Sequence, residues 1–473
     1  MKIKDIFLGI IILFYTVSTY GQLKLPQIIS SNMVLQQNEL ISVWGWAISN
    51  KEVIVKVSWN DKIYTSISDK TGKWKLKIKT PATDGNPQKI TIFSETESIL
   101  LENILLGEVW LCSGQSNMEM PMKGFKGQPV YGGNSAVAQS FNKNLRLFDA
   151  GKNVSLTPVD TLIGSTKWKI AEPESVATFS AVAYFYGSQL QKALKVPIGI
   201  ITSCWGGTPI ESWMGEDAHK NAKVIDLNGF TWSKKKQRTP TVLFNGMINP
   251  LIPFSIKGTL WYQGEANSRE YQEDYKKTLP AMVNDWRKKF EVGEFPFYFV
   301  QIAPFKYDKN VITAPYMRSV MMECVDVIPN SGIVVTTDLG SEDYIHPPFK
   351  KEVADRLFYL AMNKTYGYKA IDCEGPMYEG VTFEEDKAII TFKEDNEGLY
   401  SPENNILGFK IASIDKKFYD AKALISEDRK SVQVWCDSVK KPVAVRYAWG
   451  NYTKASFFDN SMLPASSFRT DKW

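Results

Sequence analysis

Histidine is almost missing from this chain: His219 and His346 are the two in 473 residues. That scarcity argues against the usual zinc ligand sets and leaves almost no choice of general base near neutral pH. Cysteine is sparse as well. Cys112, Cys204, Cys324, Cys373 and Cys436 include no C-x-x-C pair, so no zinc site is indicated, and the odd count leaves at least one thiol unpaired within a monomer. Cys112 and Cys204 close apolar strands and are expected as buried thiols. Cys373 and Cys436 fall in a C-terminal β region, where an oxidising compartment would allow them to pair. A strong charge of either sign is also lacking. The formal net charge of +5 is small for this length and argues against nucleic acid as a main partner.

Long apolar runs are absent beyond the N-terminus. There, Met1-Lys2-Ile3-Lys4 precedes an apolar stretch from Ile6 to Val17, followed by Ser18, Thr19, Tyr20 and Gly21. The stretch is shorter than the ~20 residues that span a bilayer. Its layout is that of a secretory signal peptide over 1–21, cleaved after Gly21. An exported chain, periplasmic or extracellular, with no membrane span after cleavage is the expectation.

The remainder is too long for one core. Residues 22–106 read as a β-domain: Lys73-Trp74-Lys75-Leu76-Lys77-Ile78-Lys79 alternates strictly, and Val53, Val55 and Val57 share that period. From Gly107 the pattern changes to continuous apolar runs: Val109 to Cys112, Ile198 to Cys204, Gly258 to Tyr262, Phe297 to Val300 and Gly332 to Thr337. Such runs fit strands buried on both faces of a parallel sheet. Helical patterns lie between them, at Val182 to Leu194 and Tyr271 to Phe290, which predicts an open α/β sheet over 107–368. A polar stretch near 218–241, carrying His219, reads as a surface insertion. Short alternating segments return over 369–473, predicting a second β-domain.

Ligands of an open α/β sheet sit beyond the carboxyl ends of its strands, and three loops leave such ends. The first, Ser113-Gly114-Gln115-Ser116-Asn117-Met118, offers Ser116 as a nucleophile, which needs an adjacent base. His346, in Asp343-Tyr344-Ile345-His346, supplies that base, with Asp343 placed to orient the ring. The second, Trp205-Gly206-Gly207-Thr208-Pro209-Ile210-Glu211, reads as a glycine pair entering a helix capped by Thr208 and Glu211. Its amides suit a developing oxyanion. The third, Trp261-Tyr262-Gln263-Gly264-Glu265-Ala266-Asn267, brings amide and acid side chains to a strand end.

Together these blocks resemble the sialate O-acetylesterases, members of the SGNH hydrolase class, over nearly the whole chain. Met33-Val34-Leu35-Gln36-Gln37 and Val43-Trp44-Gly45-Trp46 are similar to that family's N-terminal β-domain, and Pro442 to Trp449 with Leu463 to Asp471 to its C-terminal end. The resemblance implies an SGNH-type open parallel sheet with helices on both faces, flanked by β-sandwich-like domains. It implies Ser116 as nucleophile, His346 as base and Asp343 as its orienting carboxylate. Amides of Ser116 and of Gly206 or Gly207, with Gln263 and Asn267 side chains, would line the oxyanion hole. Glu265 competes with Asp343, because similar acetylxylan esterases use a glutamate in this motif to support the histidine. The implied reaction releases acetate from an acetylated sugar through an acetyl-enzyme, with no metal and no cofactor. Its rate should rise with pH near the ordinary histidine value of ~6.5. Arg269 and Arg318 are the candidates for a sialic acid carboxylate. An acetylated xylan or other neutral glycan needs neither. A catalytically inert glycan-binding protein is the alternative of another class, and the intact Ser116, Asp343 and His346 set speaks against it.

Overall fold

The structure, a computed structural model, describes residues 22–473 except 96, 165, 229–230, 270–271, 308–310 and 394–397; the expected signal segment lies outside them. Its centre is the strand β1 (Glu97–Gly114). Around it stand β2 (Asn142–Asp149), β3 (Lys169–Ala171), β4 (Ile198–Cys204), β5 (Gly258–Tyr262), β6 (Phe297–Val300) and β7 (Ser331–Val334). Their order is β7-β6-β5-β1-β4-β2-β3. Every pairing is parallel except β2 with β3. The apolar runs thus form the strands expected of them, and both faces are covered. Val109 and Leu111 enter one core, with α4 (Tyr275–Phe290) and α5 (Ala314–Val327) against it. Trp110 and Cys112, pointing the opposite way by the two-residue period, enter another with α2 (Ala181–Leu194) and α6 (Lys350–Leu360).

The chain visits the strands on one side of β1 before those on the other, which makes the carboxyl end of β1 a switch point. A long strand also changes the expected domain layout. β1 pairs antiparallel with Gln88–Ser94 through its first half and parallel with β4 and β5 through its second. The expected boundary at 106/107 therefore falls inside one strand, and Val34–Gln36, Glu52–Val57, Ile63–Ile67 and Gln88–Ser94 join the central sheet. Lys73–Lys79 alternates between exposed and buried as predicted and pairs with Leu40–Trp46. C-terminal strands including Lys387–Phe392, Phe409–Ala412, Ser431–Trp435 and Ala444–Tyr447 share a separate core.

Three expectations are corrected. His219 is buried rather than solvated: it sits in α3 (Glu216–Ala222), its Nε2 2.9 Å from the Glu211 carbonyl. Cys373 and Cys436 are not joined, and all five thiols are free. Arg318 is fully buried on α5, donating to Ser467 Oγ at 2.8 Å and to the Ala448 and Gly450 carbonyls at 3.1 and 2.6 Å. It ties the α/β layer to the C-terminal strands and has no access to a substrate carboxylate.

At the end of β1, Gly114 has φ +137, and a Cβ there would lie 2.2 Å from the Tyr262 carbonyl oxygen of β5. Gly114→Ala is therefore expected to destabilise the fold by at least ~1–3 kcal/mol, the cost of the backbone conformation alone. A urea midpoint equal to that of the native protein would show that the strand end tolerates a side chain.

Candidate active site

Ser116 follows the tight exit from β1 and opens the short helix α1 (Ser116–Glu119). At that first helical position its amide has no intrahelical acceptor. Gln115 anchors the turn: its amide donates to the Tyr262 carbonyl at 2.9 Å. Its Oε1 accepts from Gln263 Nε2 at 3.2 Å and from the Ala266 amide at 3.2 Å. Ser116, His346, Gly206, Gly207 and Glu265 line one open cavity of about 500 Å³. Four segments distant in sequence thus converge at the switch point.

His346 is half-buried against Phe125, ring centroids 5.2 Å apart. Its Nδ1 lies 2.7 Å from Gln128 Oε1. A carboxamide oxygen only accepts, so Nδ1 carries the proton and Nε2 keeps the lone pair, the tautomer a base requires. Burial, reinforced by the Lys350 charge, lowers the imidazole pKa to about 4. The expected onset of base function near ~6.5 is thereby moved into the acid range.

Asp343 does not occupy the expected place. It is exposed, and among the described residues His346 bonds with Gln128. The reason is local: 341–349 is a series of bends, and α6 begins only at Lys350. Without a helical turn, the three-residue spacing does not stack the two side chains on one face.

Gln263 and Asn267 are also corrected as oxyanion donors. Both are buried, and their donors are committed beneath the cavity. Gln263 Nε2 donates to Asn267 Oδ1 at 2.8 Å and to the Thr208 carbonyl at 3.1 Å. Asn267 Nδ2 donates to both oxygens of Glu211 at 3.0 Å. Burial raises the Glu211 pKa while the Asn267 bonds oppose it. The expected capped helix is instead a single 3-10 turn, Ile210–Trp213, without a side-chain cap, and Thr208 Oγ1 donates to the Trp205 carbonyl at 2.6 Å.

Gly206 packs on Ser116, where an added Cβ would lie 3.2 Å from the Ser116 Cβ. Its amide donates to Glu119 Oε2 at 2.5 Å, and Glu119 Oε1 accepts from Lys152 at 2.5 Å. Gly207, at φ +70, borders the same cavity. Glu265 is buried, accepts through Oε1 from Asn117 Nδ2, and has no partner at Oε2 among the described residues. Burial raises its pKa. Arg269 is exposed, donates to the Tyr307 carbonyl at 2.9 Å and does not line the cavity.

Sequence reasoning missed Gln128, Asn117, Lys350 and the cations at the cavity mouth, Lys152 and Arg238. Lys350 alone left a legible signal. It heads a buried helical stripe continued by Val353, Ala354, Leu357 and Leu360, a place where a lysine is out of pattern.

Comparisons with known proteins point to the same chemistry. The family described as "Carbohydrate esterase, sialic acid-specific acetylesterase" matches residues 106–354. The human sialate O-acetylesterase is 28% identical over 498 residues, covering 93% of this chain and 91% of that protein. The mouse sialate O-acetylesterase is 26% identical, covering 93% of each. A crystal structure of a carbohydrate acetylesterase from Xanthomonas citri superposes with a TM-score of 0.87. It is 33% identical and covers 96% of this chain and 100% of that one.

With two histidines, selective ring labelling resolves each titration by NMR. His346 is expected to protonate with a midpoint near pH 4. Gln128→Glu, which sets a carboxylate beside Nδ1, should raise that midpoint by about 1–3 units. A native midpoint near ~6.5 would mean a solvated ring and overturn the cavity geometry.

Proposed function

We propose that this chain, which belongs to the sialic acid-specific acetylesterase family of carbohydrate esterases, acts through an acetyl-enzyme on Ser116. It is a carbohydrate O-acetylesterase, a carboxylic ester hydrolase. The observation that carries the serine mechanism is the shared cavity of Ser116 and His346, with the imidazole held neutral and its Nδ1 proton tied to Gln128.

In this reading Ser116 Oγ attacks the acetyl carbonyl carbon as its proton passes to His346 Nε2. Negative charge on the carbonyl oxygen meets the Ser116 and Gly207 amides. The Gly206 amide joins them when the acyl oxygen displaces Glu119. Collapse of the adduct breaks the acyl C–O bond, and the imidazolium returns its proton to the departing sugar oxygen. Water, deprotonated by His346, then attacks the acetyl-enzyme and releases acetate. Asp343 keeps the orienting role only if the loop before α6 rearranges on binding. Gln128 fills that role in the conformation described.

For substrate, an O-acetylated sialic acid is the favoured reading, because a carboxylate-bearing sugar has a cation to meet. Arg238 Nη1 donates to the Gly207 carbonyl at 2.5 Å, so its guanidinium is held at the cavity wall beside Lys152. Arg238 thus takes the part expected of Arg269 or Arg318. An acetylated neutral glycan, which needs no arginine, is the second reading. The segment 1–21 is assigned as an export signal, which would place the enzyme where acetylated glycans are met outside the cytoplasm; no helix of the described residues is long and apolar enough to cross a membrane. The strands of 369–473 are assigned as a β-unit beside the hydrolase layer of 107–368, and those of 22–106 as an N-terminal β-unit whose last strand runs on into that layer's sheet.

Ser116→Ala should lower hydrolysis of 4-nitrophenyl acetate by about 10³-fold or more; equal rates would remove Ser116 as nucleophile. Native activity should hold from neutral pH down to about pH 5 and fall as His346 protonates near about 4. Arg238→Ala should raise KM for acetylated sialic acid about tenfold more than for acetylated xylo-oligosaccharides. Equal effects, or a native preference for the neutral sugar, would defeat the sialate reading.

A further inference from the structure

We infer that Lys350 is a positioning residue of the esterase site. Its ammonium holds Asn117, and through Asn117 it sets both Glu265 and the segment carrying His346 against Ser116. The inference rests on the acetylesterase reading above and concerns residues that reading leaves without a part.

Lys350 is 1% exposed at the start of α6. Its Nζ donates to Asn117 Oδ1 at 2.5 Å and lies 5.8 Å from the centre of the Tyr262 ring. Asn117, the neighbour of the nucleophile, is used on both sides. Its Nδ2 donates to Glu265 Oε1 and, at 3.1 Å, to the carbonyl of Ile345, the residue before His346. A cation on the amide oxygen and a carboxylate on the amide nitrogen leave one orientation for that carboxamide. The loop after β1, the loop after β5 and the histidine segment therefore meet at one side chain, whose outer partner is Lys350.

Packing alone does not account for a lysine here. The positions that continue its stripe are Val353, Ala354, Leu357 and Leu360, and an apolar residue would avoid the cost of burying an ammonium. Burial lowers the Lys350 pKa to about 7, with Glu265 acting against that shift. Lys350 in turn favours ionised Glu265 and disfavours protonated His346. The other charged or titratable groups around this array include Tyr262 on β5, Tyr275 on α4, Tyr307, Glu119 on α1, and Lys152 and Arg238 of the cavity lining. On the histidine segment itself, Glu342, Asp343 and Tyr344 are exposed, and Gln128 faces the ring without charge.

The test uses full-length Lys350→Met and Lys350→Gln, assayed with 4-nitrophenyl acetate and by histidine-ring NMR. Lys350→Met should lower kcat about tenfold or more with KM within about twofold, and should raise the His346 midpoint and the acid limb of kcat together. Lys350→Gln keeps a donor for Asn117 but no charge. It should recover part of kcat while the His346 midpoint stays raised, and it carries the test if the Met variant does not fold. Adding Glu265→Gln to Lys350→Met should cost little further, because the array acts as a unit. Native kcat in Lys350→Met overturns the inference. So does a lowered kcat with an unmoved His346 midpoint and additive effects of the two substitutions. Native protein without Ser116-dependent hydrolysis would instead defeat the esterase reading, while the ring titration would still report on the Lys350 contact.

Discussion

The site depends on how closely two strand ends approach each other. Gly114 of β1 lies so near the Tyr262 carbonyl of β5 that no side chain fits between them. Its positive φ turns the chain out of the sheet within one residue. Gln115 then donates its amide to that same carbonyl, and Ser116 emerges as the first residue of a helix with a free amide end. A bulkier residue at 114 would part β1 from β5 and move Ser116 away from every group that β5 delivers. Gly206 repeats the device from the other side: its lack of a side chain lets the loop after β4 rest on Ser116.

Beneath this turn lies a polar floor in place of an apolar one. Gln115, Gln263, Asn267 and Glu211 are all buried and bonded to one another in sequence. Tyr275 Oη adds a bond to Gln263 Oε1 at 3.0 Å. Such a network is unfavourable when half-satisfied and rigid when its members are paired. Its pairs join the loops after β1, β4 and β5, so the three cannot shift independently. Rigidity of this kind suits a site whose donors must stand ready for a charge that develops only during reaction. The same network engages the Gln263 and Asn267 side-chain donors of the third loop within the floor.

The layers were legible in the sequence, and so was the convergence of loops around Ser116. Continuous apolar runs became buried parallel strands because each residue of β4 or β5 meets a core on one face or the other. Ser116, Gly206, Gly207, Glu265 and His346 came to one cavity because strand ends converge at a switch point. What failed were inferences from local spacing. Asp343 and His346 are three apart in a segment that is not helical, and Thr208 and Glu211 are three apart in a 3-10 turn. Gln128, 218 positions from the histidine it holds, has no sequence signature, since an amide in a polar loop is unremarkable until the fold brings it to a ring. The arginines failed for a related reason. A guanidinium on a helix serves packing or recognition according to what faces it, and Arg318 faces the C-terminal strands.

The charges around His346 have a common sense. Gln128 fixes the tautomer as a carboxylate would, but it does not draw a proton to the ring. Burial and the Lys350 cation push further in the same direction. The imidazole is therefore neutral at any pH above the acid range, at the expense of basicity, since a base with a lower pKa takes the serine proton less readily. A weaker base is a workable choice where the leaving group is a sugar alkoxide, because the imidazolium that must protonate it is then a stronger acid. Lys152, paired with Glu119, and Arg238 line the same cavity as the ring. Under the sialate proposal, Arg238 is the cation that would meet the sugar carboxylate. The buried Lys350 ties the segment carrying His346 to Glu265 through one carboxamide, that of Asn117, so the proposed base and the loop after β5 share a single support.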